Sequence, residues 1–384
     1  MEYKINLCSE DTCTQCFACQ QVCPKKCISR SEVGAGFFIP AIDRNLCIEC
    51  EACVKACHKL GGRIEFQTPQ KAYACWTLNL VDREHSSSGG AFSVLAKKII
   101  NEGGVVFGAM MDVQLKVRHI LIDKVEDIRL LQGSKYVQSE ISNTYVLAKK
   151  IIKENRLVLF TGTPCQIAGL YSFLKYKPEN LYTCDVVCHG VPSQKAFDSY
   201  VDRIGIRSSS KSVGFRFTKG WGFQMYRVSA NSDKNFIKKK LIYPHSAYYL
   251  RAFTSGLMFN EACYSCPYAQ PNRISDITIA DYWGLGTFKP FHHPTHKGVS
   301  LLLVNNNHAS ELLKSCNDLI YVEERPMEEA IKGNDNLEKP SYRPEGRNTY
   351  YQDSIHLDIY SLQKKYNIQP VWRDYIRLFK QKLI

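Results

Sequence analysis

The sequence lacks any long apolar run. Nothing in it approaches the roughly 20 consecutive apolar residues of a membrane-spanning helix. Its first ten residues, MEYKINLCSE, have none of the apolar character of a secretory signal. We therefore expect a cytoplasmic protein. Because that compartment keeps thiols reduced, the 17 cysteines of the 384-residue chain are expected to bind metal or serve redox chemistry rather than to form structural disulfides.

Two recognition motifs are also missing. No G-x-G-x-x-G fingerprint is present, so NAD binding by a standard Rossmann fold is unsupported. No nucleic-acid recognition motif accompanies the formal net charge of +13, and we therefore expect no nucleic-acid partner. The positive charge remains compatible with an anionic cofactor, an acidic protein partner or an anionic membrane surface.

One cysteine spacing occurs twice. The pattern C-x2-C-x2-C-x3-C is found at Cys13, Cys16, Cys19 and Cys23 and again at Cys47, Cys50, Cys53 and Cys57. This is the bacterial ferredoxin pattern, in which the fourth cysteine of each run ligates the other cluster. The predicted ligand sets of two [4Fe–4S] clusters are Cys13, Cys16, Cys19 and Cys57, and Cys47, Cys50, Cys53 and Cys23. Zinc sites usually pair two C-x2-4-C knuckles, and cysteines so close in sequence make poor disulfide partners.

Three neighbouring residues fall outside this pattern. His58 stands where a proline often follows the fourth cysteine, and we expect it to alter the local turn and little else. Cys8 and Cys27 do not fit the spacing, so we interpret them as small buried apolar residues or spare thiols.

A second group of cysteines lies further along the chain. Cys165 and Cys188 each follow a predicted strand, and Cys263 and Cys266 form a C-x2-C pair. Open α/β sheets gather their ligands at the carboxyl ends of strands, so these four thiols could bind a third cluster or a zinc ion. From the residues alone, buried structural cysteines are an equal alternative.

From about residue 70 the sequence has the pattern of an α/β protein. Apolar spacing predicts helices over 91–100 and 167–174 and strands over 105–111, 157–160, 275–280 and 299–304. A hairpin is predicted over 213–229, with its turn at Lys219-Gly-Trp-Gly222. The basic run Lys238–Lys240 is expected to be a solvated loop or an anion contact.

Several segments together resemble the beta-subunit family of coenzyme F420 hydrogenases and dehydrogenases. They are SSGGAF from Ser87, QGSKYV from Gln132, FTGTPCQI from Phe160, VCHGVPS from Val187, and the stretch from Cys263 to Gly284. The resemblance implies FAD and a further [4Fe–4S] centre, with Cys165, Cys188, Cys263 and Cys266 as its ligands. Cys184 is a rival to Cys188, but Cys188 matches the family motif better.

A flavin site is expected at the first helix of the α/β region. Ser87, Ser88, Gly89 and Gly90 precede this helix, and a helix N-terminus suits a pyrophosphate, although plain capping is the simpler alternative. With the resemblance, we expect these residues to bind FAD. Cations and aromatic faces for a flavin or deazaflavin are also offered by two further groups of residues. These groups are Lys135 with Tyr136, and Arg216 and Phe217 with Trp221. Packing of a surface hairpin is the alternative.

The expected fold class is an α+β ferredoxin-like two-cluster domain followed by an α/β flavin-binding domain with a mixed sheet. We expect the ferredoxin domain at 1–68, the N-terminal beta-subunit region at 69–155, and the C-terminal region with the third cluster at 156–328. A polar connector and an amphipathic helix are expected at 329–384.

The expected function is electron relay between the ferredoxin clusters, the third cluster and FAD, for hydride transfer to or from F420 or another organic substrate. No residue stands out as a dedicated acid, base or nucleophile, and the hydride chemistry would belong to the flavin. The alternative is a non-catalytic electron-transfer subunit that feeds a partner enzyme. Expected partners are a redox protein or a small-molecule electron donor or acceptor.

The C-terminal helix is predicted to be amphipathic. Its apolar stripe comprises Val371, Trp372, Tyr375, Ile376, Phe379 and Leu383, and the opposing cations are Arg373, Arg377 and Lys380. Such a helix can lie on an anionic membrane surface. Packing on its own domain or on a partner is the alternative.

Overall fold

The computed structural model describes residues 5–217, 221–229 and 239–383, without the side chains of residues 217, 229 and 380–383. The start of the predicted hairpin turn, Lys238 of the basic run, and the side chains of Lys380 and Leu383 therefore lie outside the described residues. Within the described ranges, no helix combines the length and apolar character needed to cross a membrane.

The strands and helices are numbered in chain order. The strands are β1 Ile28–Val33, β2 Phe37–Ile42, β3 Lys71–Thr77, β4 Val105–Met111, β5 Val117–Ile122, β6 Val158–Gly162, β7 Leu181–Val186, β8 Ser210–Phe217, β9 Gly222–Ser229, β10 Lys239–Leu241, β11 Ile277–Asp281, β12 Ser300–Val304 and β13 Ile320–Arg325. The helices are α1 Ala18–Val22, α2 Ala52–Lys55, α3 Leu80–His85, α4 Ala91–Asn101, α5 Ile128–Leu131, α6 Thr144–Lys153, α7 Pro164–Leu174, α8 Gln194–Arg203, α9 Tyr248–Thr254, α10 Asn307–Lys314, α11 Met327–Lys332, α12 Arg347–His356, α13 Ile359–Lys365 and α14 Trp372–Leu383.

The N-terminal segment uses the same unit twice, a cysteine-rich loop followed by a short helix. Helix α1 begins after Phe17 and α2 begins after Glu51, and both of these residues have left-handed backbone (φ 48° and 59°). That conformation turns the chain sharply, so the third cysteine of each run, Cys19 or Cys53, lies in the first turn of its helix. Strands β1 and β2 pair antiparallel between the two units.

A mixed eight-stranded sheet organises the α/β region. Its strand order is β13-β3-β12-β11-β7-β6-β4-β5. The central neighbours β11, β7, β6 and β4 are parallel, whereas the outer pairs are antiparallel. Alternate residues of β4 enter opposite cores: Val105 and Phe107 pack with α6 and α7, and Val106 packs with α4 and α10. Helices on both faces explain the continuous apolar runs of the central strands.

Most predicted elements of this region are confirmed, with small shifts in their ends. The helix expected over 91–100 is α4, and the strand expected over 105–111 is β4. The strand expected over 275–280 begins two residues later, as β11. The hairpin strands β8 and β9 pair antiparallel as expected, and β10 adds a third strand beside β9.

The region after residue 329 is more structured than a polar connector. Helices α12 and α13 carry Tyr350, Tyr351 and Leu362 into a core shared with α8 and α9. These buried positions are scattered among polar residues, so the apolar pattern was too sparse to predict either helix.

Helix α14 turns its apolar stripe away from the protein. Trp372 and Phe379 keep 66% and 65% of their surface exposed, and Tyr375 and Ile376 are also exposed, whereas Leu378 is buried. The alternative that the stripe packs on its own domain is therefore wrong for these residues.

Candidate functional site

Site I is the pocket lined by the first predicted ligand set. Its four thiols belong to Cys13, Cys16, Cys19 and Cys57. Burial raises the pKa of Cys13 to about 11 and that of Cys19 to about 12. Because a metal ligand must be a thiolate, these buried thiols would ionise where a bound cation compensates their charge.

Site II is the pocket lined by the second predicted set. Its thiols belong to Cys23, Cys47, Cys50 and Cys53. Site II lies nearer the surface, since Cys50 is exposed and Ile48, which lines the same pocket, is 57% exposed. The structure thus groups the thiols as the ferredoxin spacing predicted, with the fourth cysteine of each run at the other site.

Each of these sites contains a fifth thiol that the spacing did not mark. Cys8 lines site I with its Sγ 3.5 Å from Cys57 Sγ, and Cys27 lines site II with its Sγ 3.4 Å from Cys23 Sγ. The hydrogen bond with Cys8 lowers the pKa of Cys57 to about 6. Both extra thiols are buried, as expected, but they contact predicted ligands and do not merely fill space.

Site III is the pocket lined by Cys165, Cys188, Cys263 and Cys266. Cys165 and Cys188 follow β6 and β7, which are parallel neighbours, so both loops lie at the same edge of the sheet. A capping box between Thr163 and Gln166 fixes the start of α7 around Cys165. The rival Cys184 lies within β7 and does not line this pocket, and Cys75 and Cys316 are buried elsewhere in the core.

The four thiols of each site surround a pocket and do not converge on one point. In the described part of the chain, no three His, Cys, Asp or Glu side chains come together as a single metal ion would require. A tetrahedral zinc site needs four ligands within about 2.3 Å of a common centre.

A cavity of about 290 Å³ lies at the carboxyl edge of the parallel strands. We call it the central cavity. Five of the residues expected to contact a flavin line it, namely Ser87, Ser88, Gly90, Lys135 and Tyr136, whereas Arg216 and Trp221 are not among its lining residues. Gly89 lies behind the wall, where an added Cβ would be 2.2 Å from the carbonyl oxygen of Cys75.

The serines before α4 do not cap it. Helix α4 begins after Gly90, which has left-handed backbone (φ 87°), and no side chain caps this N-terminus. Ser88 Oγ instead donates to the carbonyl of Val299, and Ser87 Oγ accepts from the main-chain N–H of Ser134. Ser93 N–H donates to the carbonyl of Gly90 at 3.1 Å, and neither Ser87 nor Ser88 acts as the N-cap of α4, so plain capping by these two serines does not explain the segment.

Lys135 and Tyr136 form the cavity wall differently from the expectation. Lys135 Nζ donates to the carbonyl oxygens of Leu131 and Gln132, at 2.9 and 2.8 Å. Burial lowers the pKa of this amine to about 7. Its ammonium is therefore held by the main chain. Tyr136 stacks on Phe253 with ring centroids 4.3 Å apart and so presents an aromatic wall.

The sequence reasoning missed His119 and Gln132, which also line the cavity. His119 is buried between Ser139 Oγ (2.7 Å from Nδ1) and the carbonyl of Thr161 (2.9 Å from Nε2). A carbonyl only accepts hydrogen bonds, so Nε2 carries the proton and Nδ1 accepts from Ser139 in the neutral ring. Burial lowers the pKa of His119 to about 4. Its inward position could have been predicted from the alternation of Val117 and His119 along β5.

Gln132, which lines the cavity, has a side-chain oxygen without a hydrogen-bond partner among the described residues. Its Nε2 donates to Ser93 Oγ at 2.6 Å, whereas its buried Oε1 has no hydrogen-bond partner among the described residues. A buried polar acceptor without a partner is uncommon in a folded protein and calls for a group that can donate to it.

One loop separates the central cavity from site III. Cys188, His189, Gly190 and Val191 line both pockets, on opposite sides of the same short segment after β7. Gly190 has φ 135°, and an added Cβ there would be 2.4 Å from the Phe259 ring. The loop is therefore closely packed, and the predicted ligand Cys188 belongs to both compartments.

Two family models match the regions of the chain that contain these sites. Residues 155–330 match the family described as the C terminus of the coenzyme F420 hydrogenase/dehydrogenase beta subunit, and residues 12–61 match the 4Fe-4S dicluster domain. Over residues 155–330 the chain is therefore similar to the beta subunits of coenzyme F420 hydrogenases and dehydrogenases, and over residues 12–61 it is similar to 4Fe–4S dicluster domains. The resemblance drawn from the motifs is confirmed.

A solved structure is also similar to this chain. It is a chain from the xenon-derivatized F420-reducing [NiFe] hydrogenase complex of Methanosarcina barkeri, with 17% sequence identity and a TM-score of 0.49. The similarity covers 78% of this chain and 91% of that chain. No curated protein matches the sequence.

Proposed function

We propose that this chain is an iron–sulfur flavoprotein oxidoreductase. Its three thiol sites would hold [4Fe–4S] clusters and its central cavity would hold FAD. The substrate would be F420 or another organic compound that exchanges a hydride. The observation that carries the proposal is the loop 188–191, which lines the central cavity on one side and site III on the other.

The donor sets suit iron–sulfur clusters. Each site offers at least four thiols, and the residues that line sites I and III include no carboxylate. Cysteine thiolates are the usual ligands of [4Fe–4S] clusters. Sites I and II would hold the two ferredoxin clusters, and Cys165, Cys188, Cys263 and Cys266 would hold the third.

The central cavity suits the phosphates and ring of FAD. The uncapped N-terminus of α4 offers main-chain N–H groups and the positive end of a helix dipole to a pyrophosphate. The orphaned Oε1 of Gln132 calls for a donor, which a flavin ring can supply. Tyr136 gives an aromatic wall. When bound, FAD would exchange a hydride with the organic substrate and single electrons with the neighbouring metal centre.

The protein's own groups would position and shield this chemistry. Neutral His119 and the main-chain-bound Lys135 line the cavity, and the carboxylate of the lining residue Asp281 is paired with Arg216. The packed loop at Gly190 would fix the distance between the cavity and site III.

The alternative function is a non-catalytic electron-transfer subunit. The exposed Cys50 and Ile48 at site II favour a surface where a redox partner docks. Both functions need such a surface, because an electron donor or acceptor must reach the outermost cluster. They differ in whether the purified chain alone reduces an organic acceptor.

Helix α14 would provide a further contact, with an anionic membrane surface. The exposed residues Trp372, Tyr375, Ile376 and Phe379 have the i, i+3, i+4, i+7 spacing of one helical face. Arg373 and Arg377 are exposed beside them. Aromatic residues on one face and cations on the other are the pattern of helices that lie in the lipid headgroup region.

The decisive experiment is anaerobic quantification of iron, acid-labile sulfide and flavin in purified, reconstituted protein. Three cubane clusters require about twelve irons per chain, together with one FAD. Turnover of an organic hydride acceptor by this protein without a partner would then select the enzyme over the electron-transfer subunit. Zinc in place of iron, or about eight irons with no flavin, would reject the proposal.

A further inference from the structure

The ferredoxin segment is joined to site III through one histidine. His58 Nε2 lies 2.9 Å from Thr14 Oγ1, and His58 Nδ1 lies 2.6 Å from the Tyr268 hydroxyl. His58 follows the site I residue Cys57, and Tyr268 is two residues beyond Cys266 of site III. Both rings are buried. The expectation that His58 alters only a local turn is therefore wrong.

The three side chains can all be satisfied at once. A neutral imidazole has one N–H donor and one acceptor nitrogen, whereas each hydroxyl can donate or accept. His58 can therefore bond to Thr14 and to Tyr268 in either tautomer. A proline at position 58 would leave the Tyr268 hydroxyl without this partner in the interior, which is a costly arrangement.

The same contact brings helix α7 against site I. An added Cβ at Gly169 would lie 2.8 Å from Cys16 Cβ and 3.0 Å from Cys16 Sγ, so only glycine fits there without a shift. Gly169 is four residues after Cys165 and thus lies one turn along the same helix face. Cys16 of site I is accordingly packed one helical turn from Cys165 of site III.

Two further contacts complete this boundary. Asn260 Nδ2 donates to the carbonyl oxygen of Cys13 at 3.1 Å. Thr14 lines both the site I pocket and the site III pocket. Among the described residues, site II shares no lining residue with site III. Site I is therefore the ferredoxin site that adjoins site III, and the His58 hydrogen bonds lie between them.

We propose that His58 is a positioning residue that, through Tyr268 and Thr14, holds site I at a fixed separation from site III for electron transfer between them. This inference rests on the proposed function. If sites I and III hold clusters, the step that this positioning would support is the passage of one electron from a reduced cluster at site I to an oxidised cluster at site III. No bond forms or breaks in this step, and no proton moves.

Two variants test the positioning role. Tyr268→Phe removes only the hydroxyl, and His58→Phe removes both hydrogen bonds while keeping a ring. Tyr171→Phe is the matched control, because its hydroxyl bonds to Thr183 on the far side of α7 at 2.7 Å. His58→Gln, which keeps a donor and an acceptor, should partly restore wild-type behaviour.

The readouts are magnetic and kinetic. We expect both test variants to keep wild-type iron, sulfide and flavin contents. Their electron paramagnetic resonance spectra should show weaker spin–spin coupling between sites I and III. Flavin reduction by an electron donor to the ferredoxin segment should slow by about tenfold or more, since small misplacements of reacting groups have effects of this size. Tyr171→Phe should leave both readouts unchanged.

The outcomes separate the two proposals. If Tyr268→Phe and His58→Phe keep the wild-type spin–spin coupling and the wild-type rate of flavin reduction, the positioning role is overturned. Selective loss of site I iron in Tyr268→Phe would also overturn it, because His58 and Tyr268 would then support metal ligation instead. If wild-type protein binds neither FAD nor a third cluster, the proposed function fails. The role of the His58 hydrogen bonds is then tested by hydrogen exchange of residues 57–62. Tyr268→Phe should accelerate this exchange and Tyr171→Phe should not. Equal exchange in the two variants would reject the role of His58.

Discussion

Arg216 and Asp281 form a two-pronged ion pair at the edge of the central cavity. The Nη1–Oδ2 and Nη2–Oδ1 distances are 2.7 and 2.9 Å, and Trp221 Nε1 donates to the same carboxylate at 2.7 Å. The guanidinium lies over the Phe223 ring, 4.2 Å from its centroid. The pair therefore joins the hairpin β8–β9 to the end of β11 and supports the aromatic side of the cavity.

Removal of this carboxylate should destabilise the protein strongly. In Asp281→Ala the buried Arg216 keeps its charge without a partner, so we expect a loss of about 3–5 kcal/mol in the free energy of unfolding. Urea denaturation of the holoprotein measures it. Lys71→Ala is the control, because it breaks an exposed pair with Glu324 that is worth about 0–1 kcal/mol. Equal effects of the two variants would contradict the structural role of the pair.

The thiols of site III should be separable from the structural cysteines. Cys263→Ala removes a lining residue of site III, so we expect a loss of about four irons per chain, the content of one cubane. Cys316→Ala removes a thiol that is buried in the core beside α10, away from site III, and this variant should lose no iron. Iron and sulfide assays after anaerobic reconstitution measure the cluster content of the two variants. Full iron content in Cys263→Ala would remove it from the ligand set.

Much of the metal-binding arrangement was predictable because short spacings fix local geometry. The runs at Cys13 and Cys47 gave the grouping of thiols in sites I and II without any long-range information. Cys165 and Cys188 were each placed after a predicted strand, and the structure shows these strands to be parallel neighbours whose carboxyl ends share one edge. The joining of Cys263 to these two depended on the family resemblance.

Long-range contacts account for what the sequence did not disclose. His58 is one residue from a recognised motif, but its partner Tyr268 is 210 positions away. Helices α12 and α13 were missed for a related reason, since their buried tyrosines meet the core only after α8 and α9 are in place. Lys135 is a different case, because its main-chain acceptors are local, in α5 and just after it, and its contact with a flavin stays a prediction.

The exposed face of α14 should bind anionic lipid. We expect the full chain to co-sediment with vesicles of mixed phosphatidylglycerol and phosphatidylcholine, and to bind pure phosphatidylcholine more weakly. Added salt should weaken the binding because part of the attraction comes from Arg373 and Arg377. The double variant Trp372→Ala/Phe379→Ala should lose most binding.

Tyr342→Ala is the control for this measurement, because it removes an aromatic side chain that is 79% exposed and lies outside α14. Binding that is unaffected by Trp372→Ala/Phe379→Ala would reject the membrane contact. A concentration-dependent dimer in size-exclusion chromatography that this double variant abolishes, without any vesicle binding, would show that a second copy covers the face instead.

The stability of the protein should fall with acidification partly through His119. The folded-state pKa of about 4 lies below the ordinary value of 6.5, so between these values the unfolded chain binds a proton that the folded protein does not. Stability therefore decreases as the pH falls through this window, and one such group contributes about 2 kcal/mol between pH 7 and pH 5. Lys135, which also lowers the pKa of His119, opposes protonation of the ring further.

His119→Gln isolates this contribution, since it keeps hydrogen-bonding capacity without a titratable group. Urea unfolding of wild type and variant at pH 7 and pH 5 gives four free energies of unfolding. The loss of stability from pH 7 to pH 5 is calculated for each protein, and subtracting the loss in the variant from the loss in wild type cancels the acid sensitivity of the other groups. We expect the variant to lose about 2 kcal/mol less than wild type over this interval. An identical pH dependence in both proteins would mean that His119 binds its proton as readily in the folded state as in the unfolded chain, contrary to its burial between Ser139 and Thr161.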